Sequence, residues 1–412
     1  MPLTVRTIRP DEMPAWFEAF GSAFYFWLFD SNALAAARRD AFDIERMVGA
    51  YDGDTIVGTF RTFASQLTLP GGARVPVSSV SAVSVRPTHR RRGALRRLIA
   101  DDVERATARG DAASVLISAE WPIYGRFGYG PATWQSQWTL RPRVARPEIE
   151  PVGSIEFVDA LTARKLIPEL YDRYAAGQPG ELSRPDYRWD EALGLVEISG
   201  RPRWRGSIVL HRDESGALDG YARYHGDEVW EGMVADNVLI LDELHALTEP
   251  AELDLWRFLA QMDITATIRA DTRREHEPVR WYLADGRAAR AGGPLDFLWL
   301  RPLDVERLLR ERRYDRDGEL ILEITDVVDG GPGPAAGRYE LVVRDGAGEC
   351  RRSDAAPDLT LEARTLGAAI LGGTRLIDAS RSGGTTEHRP GALAEADAIL
   401  WAADPPWCST WF

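Results

Sequence analysis

The sequence predicts an α+β fold in which strands and helices alternate over two or three domains. Three observations support this prediction. A strand, a basic turn and a helix follow one another within residues 81–99, and turn residues separate β-rich runs elsewhere along the chain. The chain has 412 residues, enough for several domains of about 100–200 residues each. Its 44% hydrophobic and 27% charged content is ordinary for a globular protein.

The first third of the chain begins with a strand, two helices and a strand meander. Residues 3–9 alternate as a strand, a helix is predicted over 11–24, and the alanine-rich segment 31–47 is also predicted to be helical. Turn residues at 53–54 and 70–72 separate three β-rich runs, which predicts antiparallel hairpins.

The stretch after the meander has the composition of an anion site. The apolar residues shift to helical spacing after Gly93, and Gly110 is predicted to end that helix in a left-handed conformation. The first N–H groups of a helix have no intrahelical partners and lie at the positive end of its dipole. A glycine at this point lets the backbone approach a ligand closely, so the stretch is predicted to bind a pyrophosphate.

The charge balance favours a small anionic ligand over a nucleic acid. The net charge of −13 makes the chain a poor general binder of nucleic acid, yet six arginines cluster within residues 86–97. The alternative is a solvated helix start in an arginine-rich chain, because Lys165 is its single lysine. No apolar run approaches the ~20 residues of a membrane helix, the N-terminus has no signal-peptide h-region, and two cysteines give no disulfide framework. We therefore expect a cytoplasmic protein that contacts no membrane.

The motif V-x-V-x-P-x-x-R-R-R-G-x-L at residues 83–95 resembles the acetyl-CoA loop of the GNAT acetyltransferases, Q/R-x-x-G-x-G/A. Arg90 and Gly93 match this pattern, whereas Leu95 stands where the family usually has Gly or Ala. Together with the sequence YGRFGYG at 124–130, the segment is similar to the enhanced intracellular survival (Eis) family of N-acetyltransferases. The resemblance covers the full chain, more weakly after its first third.

The resemblance implies tandem GNAT folds followed by a sterol-carrier-like α+β domain. Residues 1–150 would form the acetyl-CoA-binding GNAT domain, and 151–296 a second, degenerate GNAT-like domain without the cofactor loop. There Glu249, Glu252 and Asp254 replace the loop arginines and would repel a pyrophosphate. Residues 297–412 would form the sterol-carrier-like domain, whose C-terminus reaches the active site.

Acetyl transfer to an amine needs a bound coenzyme, a polarised thioester, a base and an acid. Acetyl-CoA is the expected co-substrate, no metal is expected, and the N–H of Val83 is the candidate donor to the thioester carbonyl. The residues predicted to bind the coenzyme lie on the strand, the loop and the following strand: Val83, Ser84, Val85, Arg90, Arg91, Arg92, Gly93, Ala94, Leu95, Arg96, Ala119 and Glu120.

Tyr124 is predicted to be the general acid, because it occupies the position of the GNAT tyrosine. A phenol of pKa about 10 protonates a thiolate of pKa about 8.5 only in a concerted step or with help from neighbours. The alternative is a packed tyrosine that serves the core. The base stays open between Glu120, near Tyr124 in sequence, and the C-terminal carboxylate of Phe412, which the Eis resemblance implies.

The acceptor is expected to be a cationic primary amine. The negative net charge attracts such amines, and the resemblance implies an aminoglycoside-like or lysine-like molecule, a homo-hexamer and no nucleic-acid partner. Phe24, Phe26 and Trp27 are predicted to line the acceptor pocket through cation–π contacts, although core packing is the alternative. The competing function is a non-enzymatic lipid or small-molecule binder that uses the C-terminal domain.

Overall fold

The computed structural model describes residues 3–24, 30–144, 147 and 150–412. In the first part of the chain, the helix predicted over 31–47 ends at Arg38. Beyond it the Asp43 side chain accepts from the amide of Glu45 and begins a separate short 3-10 helix, Ile44–Arg46, after which the predicted meander starts at Met47. The elements here are β1 Thr4–Thr7, α1 Met13–Phe24, α2 Ser31–Arg38, β2 Met47–Asp52, β3 Thr55–Thr68, β4 Arg74–Val85, α3 Ala94–Arg109, β5 Ala113–Ile117, α4 Trp121–Tyr124, β6 Gly130–Pro131 and β7 Trp134–Leu140.

The middle of the chain repeats the strand–helix–strand plan. Strand β13 pairs in parallel with β14, and the helix α7 connects them, just as α3 connects β4 to β5. The elements are β8 Ser154–Val158, α5 Ala160–Gly177, α6 Asp186–Ala192, β9 Ser207–Arg212, β10 Leu218–Asp227, β11 Trp230–Glu231, β12 Val234–Ala235, β13 Asn237–Ala246, α7 Glu249–Ala260, β14 Thr265–Arg273, α8 Val279–Tyr282, β15 Ala289–Ala291, β16 Leu295–Asp296 and β17 Leu298–Pro302.

The last part of the chain forms a third sheet flanked by helices. Its strands follow the order β22-β21-β18-β23-β24. The elements are α9 Val305–Glu311, β18 Gly318–Thr325, β19 Val327–Val328, β20 Gly331–Pro332, β21 Gly337–Arg344, β22 Ala347–Arg352, β23 Leu359–Glu362, α10 Ala363–Ala369, α11 Leu376–Ser380, β24 Thr385–Glu387 and α12 Ala392–Leu400.

Two strands each belong to a sheet that is formed mainly by another part of the chain. The first sheet has the order β1-β2-β3-β4-β5-β17-β6, so it takes in β17 from far along the chain. The second has the order β15-β7-β14-β13-β10-β9-β8, so it takes in β7 from the first part. Sheet membership therefore does not change at residues 150 and 296, and each of the first two units contains a strand from beyond its expected boundary.

The first and third units share one hydrophobic core. Buried side chains of β3, β4, β5 and β17 pack continuously with those of β18, β21 and α10. Helix α10 approaches β17 so closely that a Cβ added to Gly367 would lie 2.2 Å from the carbonyl oxygen of Leu300. This close approach fixes the third unit, and with it the C-terminal tail, against the first sheet. Within the described residues, no helix is both long and apolar enough to cross a membrane.

Candidate active site

The basic turn between β4 and α3 exposes the start of a helix. Arg91 and Gly93 have left-handed backbone conformations, with φ of +63° and +81°. Helix α3 begins at the next residue, Ala94, and a Cβ added to Gly93 would meet no heavy atom within 4 Å. The first amides of α3 are therefore open to a ligand, and the helix dipole places positive potential there. This geometry fits a pyrophosphate.

The arginines of this turn divide into two groups. Arg92 donates a 2.9 Å hydrogen bond to Asp52, and Arg96 pairs with Asp329 of the third unit at 3.1 Å. Arg90 and Arg91 are exposed and form no ion pair with any described residue. Of the predicted loop residues, Arg90 and Arg91 therefore have guanidinium groups available to a phosphate.

Strands β4 and β5 separate beside this turn. They pair only over Val77–Val80 and Ala113–Leu116, and β4 continues alone on that side to Val85. Ala82 has φ of +51°, and neither Ala82 nor Val83 has a paired residue in β3 or β5. The backbone of Val83 therefore lies at the open gap between the strands, where it was predicted to meet the thioester.

Not every predicted coenzyme residue faces this gap with its side chain. The Ser84 hydroxyl is buried 2.7 Å from the Thr59 hydroxyl, so only its main chain is available. Ala119 lines the cavity described next, whereas Glu120 is exposed and precedes α4 outside that cavity. Glu120, one of the two predicted bases, is therefore not among the residues that line this cavity.

A cavity of about 480 Å³ opens from the gap between β4 and β5. Its volume is within the usual range of small-molecule sites, about 300–1,000 Å³. Phe24 of the predicted aromatic wall lines it, while Phe26 and Trp27 lie outside the described residues. Tyr124 and Phe412 both line it, so the predicted acid and the predicted terminal base share one cavity.

Tyr124 is almost completely buried, with 8% of its surface exposed. Its ring packs edge-on against Tyr129 at a centroid distance of 5.9 Å, and its hydroxyl has no hydrogen bond to any described residue. Burial, reinforced by the negative charge of Glu120, raises the pKa of Tyr124 to about 12. The hydroxyl is thus protonated at neutral pH and free to donate to a substrate.

The C-terminal tail is fixed by a buried carboxylate of the second unit. Glu181 accepts hydrogen bonds from the Ser409 amide at 2.8 Å, the Ser409 hydroxyl at 2.6 Å and the Thr410 hydroxyl at 3.0 Å. The chain then ends with the Phe412 ring packed edge-on against Phe63 of β3, at a centroid distance of 5.3 Å. The terminal carboxylate forms no ion pair with the described residues.

Comparisons with known proteins agree with this geometry. Residues 4–132 and 180–301 each match a family model described as an acetyltransferase (GNAT) domain, and residues 305–409 match a sterol carrier protein domain. An uncharacterized N-acetyltransferase of Streptomyces griseus is 38% identical over 419 residues, covering 99% of both chains. The N-acetyltransferase Eis of Mycobacterium tuberculosis is 31% identical over 383 residues, covering 91% of both. The chain belongs to the Eis family.

The solved structures support the same assignment. The crystal structure of Eis1 from Mycobacterium abscessus superposes with a TM-score of 0.86 at 28% identity, covering 99% of this chain and all of that one. The predicted fold class, tandem GNAT folds with a sterol-carrier-like domain, is confirmed. The protein is an N-acetyltransferase, which decides between the two functions that the sequence left open.

The second GNAT domain of this Eis-family enzyme carries acidic residues at the start of its connecting helix, where the first domain carries arginines. Helix α7 carries Glu249 and Glu252 in its first turn, and Glu252 pairs with Arg273 at 3.4 Å. Asp254 faces inward, where its carboxylate lies 3.0 Å from His211 and accepts from the backbone amide of Gly153. Glu249 accepts a long hydrogen bond of 3.5 Å from the Tyr282 hydroxyl, so each of the three acidic residues predicted to oppose a pyrophosphate has a partner within the protein.

Several residues that line the cavity of this Eis-family protein were not predicted from the sequence. Arg61 is the clearest, because it is 4% exposed, lies in the run Thr59–Phe63 of β3 and stacks on Phe42 at 3.5 Å. A charged residue inside an apolar strand was the available signal. The others come from α2, from the second unit and from the tail: Arg38, Tyr187, Arg188, Glu191, Arg201 and Trp411.

Proposed function

We propose that this enzyme transfers the acetyl group of acetyl-CoA directly to a primary amine, with Tyr124 as general acid and the Phe412 carboxylate as base. The observation that carries the proposal is the single cavity that joins Val83, Tyr124 and Phe412 at the gap between β4 and β5. Bringing both reactants into such a cavity supplies much of the rate by proximity.

Each part of the proposed site has one task in the reaction. The open amides of α3, with Arg90 and Arg91, hold the pyrophosphate, and the Val83 N–H donates to the thioester oxygen. As the nitrogen–carbon bond forms and the carbon–sulfur bond breaks, the Phe412 carboxylate accepts the proton of the amine and Tyr124 donates a proton to the sulfur. A free terminal carboxylate has a pKa of about 3.3–3.7, so Phe412 passes this proton on to water. Tyr124 recovers its proton from solvent.

The acceptor proposed on the grounds of family and net charge is an aminoglycoside-like or lysine-like amine. The total charge of −13 favours the approach of such amines over long distances. A homo-hexamer and a cytoplasmic location are also proposed from the resemblance, and light scattering of the purified protein measures the first of these.

The decisive experiment moves the carboxylate without disturbing the ring. One glycine added after Phe412 displaces the carboxylate by about 3.8 Å. We expect kcat to fall at least a hundredfold, with acetyl-CoA still raising the melting temperature, since a ligand at 100 times its Kd stabilises by about 2.7 kcal/mol. The matched control is Phe412→Leu, which keeps a terminal carboxylate at the same position and is expected to retain most activity. Normal acetylation by the extended chain would exclude the carboxylate as base.

A further inference from the structure

The acceptor cavity carries more positive than negative charge. Four arginines line it, from α2, β3, α6 and the segment after α6: Arg38, Arg61, Arg188 and Arg201. Among the described lining residues, the opposing charges are Glu191 and the terminal carboxylate of Phe412. Residues 25–29, sequence YFWLF, contain no Asp, Glu, Lys, Arg or His. The cavity is therefore cationic, in contrast to the protein as a whole.

The single glutamate is already shared. Glu191 pairs with Arg38, and with Arg188 at 3.9 Å. The Nε of Arg188 is buried without a hydrogen-bond partner. The Glu191 carboxylate is thus shared by the guanidinium groups of Arg38 and Arg188, and the Nε donor of Arg188 at the cavity wall remains without an acceptor.

Arg61 has no acidic partner among the described residues. It donates one hydrogen bond to the Tyr187 hydroxyl at 3.0 Å and stacks on Phe42, while its Nε is buried without a partner. A buried guanidinium of this kind is costly unless an anion meets it. In the pairing of β3 with β4, Arg61 lies opposite Ser81. Ser81 directly precedes Ala82, where the gap between β4 and β5 begins. Arg61 therefore lies close to the edge where the acetyl group is transferred.

Building on the proposed acetyltransferase function, we propose that the acceptor is a primary amine that carries a carboxylate, which Arg61 and Arg188 bind. Guanidinium groups are well suited to hold a carboxylate through two parallel hydrogen bonds. The aromatic walls formed by Phe17, Phe20 and Phe42 fit an apolar spacer between amine and carboxylate. Of the two acceptor types proposed above, a lysine-like molecule brings such a carboxylate, and a polycationic aminoglycoside does not.

The experiment compares acceptors that differ in this one group. Coenzyme A release is measured with 4-(aminomethyl)benzoate, with 4-methylbenzylamine and with a polycationic aminoglycoside. We expect kcat/KM to be at least tenfold higher for 4-(aminomethyl)benzoate than for 4-methylbenzylamine, which has a methyl group in place of the carboxylate. Equal values for the pair, or a preference for the aminoglycoside, would overturn the inference and leave acetyl transfer intact. If no amine releases coenzyme A although acetyl-CoA binds, the proposed function fails instead.

Two variants test the assigned arginines. Arg61→Gln should raise KM for the carboxylate acceptor at least tenfold, leave 4-methylbenzylamine within twofold, and leave acetyl-CoA affinity unchanged. Arg188→Gln, at a less buried site, should act in the same direction if Arg61→Gln does not fold. An equal loss with both acceptors would show a merely structural role. If either variant uses acetyl-CoA better relative to succinyl-CoA than the parent enzyme does, the arginines bind the acyl group of the donor and not the acceptor. That result also overturns the inference.

Discussion

Replacing Tyr124 by phenylalanine should lower kcat by about 10²–10⁴ without lowering the stability of the protein. The hydroxyl is the only atom removed, and it has no hydrogen bond within the described part of the chain. Removing it therefore leaves no buried partner unsatisfied, and we expect the free energy of unfolding to change by less than about 0.5 kcal/mol. A general acid contributes about 10²–10⁴ in rate, which corresponds to about 3–5 kcal/mol of transition-state stabilisation.

Tyr129→Phe is the matched control. This tyrosine is fully buried next to Tyr124, but its hydroxyl lies 2.7 Å from that of Ser114. Its removal should cost about 1 kcal/mol of stability and leave kcat close to that of the parent enzyme. The two substitutions thus have opposite expected effects, one on rate and one on stability.

Coenzyme A release under saturating acetyl-CoA measures kcat, and a thermal melt measures stability. Because the pKa of Tyr124 is raised to about 12, the parent enzyme should show no loss of activity from phenol ionisation between pH 7 and 9. If Tyr124→Phe keeps kcat within threefold of the parent, the assignment of the acid is wrong. If Tyr124→Phe lowers the melting temperature as much as Tyr129→Phe does, the hydroxyl is structural.

Three further perturbations test the coenzyme loop, the core beneath it and the tail. Gly93→Ala and Gly110→Ala both place a Cβ in open space at a left-handed position, with φ of +81° and +77°, so each should cost about 1–2 kcal/mol of stability. Only Gly93→Ala should weaken acetyl-CoA binding in calorimetry, about tenfold, and equal affinities would contradict the loop assignment. Burial raises the pKa of Asp102 from 3.8 to about 6, so its stabilising proton is lost as pH rises through 6. Asp102→Asn should therefore raise stability by up to about 3 kcal/mol at pH 7.5 and by much less at pH 4, as melts at both values would show. Glu181→Gln should loosen the tail and lower kcat while acetyl-CoA affinity is unchanged, and an unaltered kcat would separate the tail from catalysis.

Local sequence was sufficient to predict the strand, the turn and the helix of residues 81–110. A strand, a glycine and a helix lie within residues 81–110, and their geometry depends on contacts between close neighbours in the chain. Gly93 and Gly110 were both expected at the ends of that helix, and both have the left-handed conformation there. Helix capping is a local interaction, which explains the success.

The acceptor cavity was not predictable in the same way. Arg61, Arg188 and Phe412 are far apart in sequence, and only the tertiary fold brings them to one cavity. Nor could the exchange of β7 and β17 between sheets be inferred, because strand pairing over more than 100 residues leaves no periodic signal. The overall charge of −13 also gave no indication of the four arginines that line the cavity.

The proposed base requires all three units at once. The first provides the strand gap, the second provides Glu181, which fixes the tail, and the third provides the tail itself. Residues 1–150 alone would lack β17, which lies between β5 and β6 in the first sheet. Strand β5, a central strand of the intact sheet, would then have an unpaired edge. A fragment that ends there should therefore lose both its fold and its base.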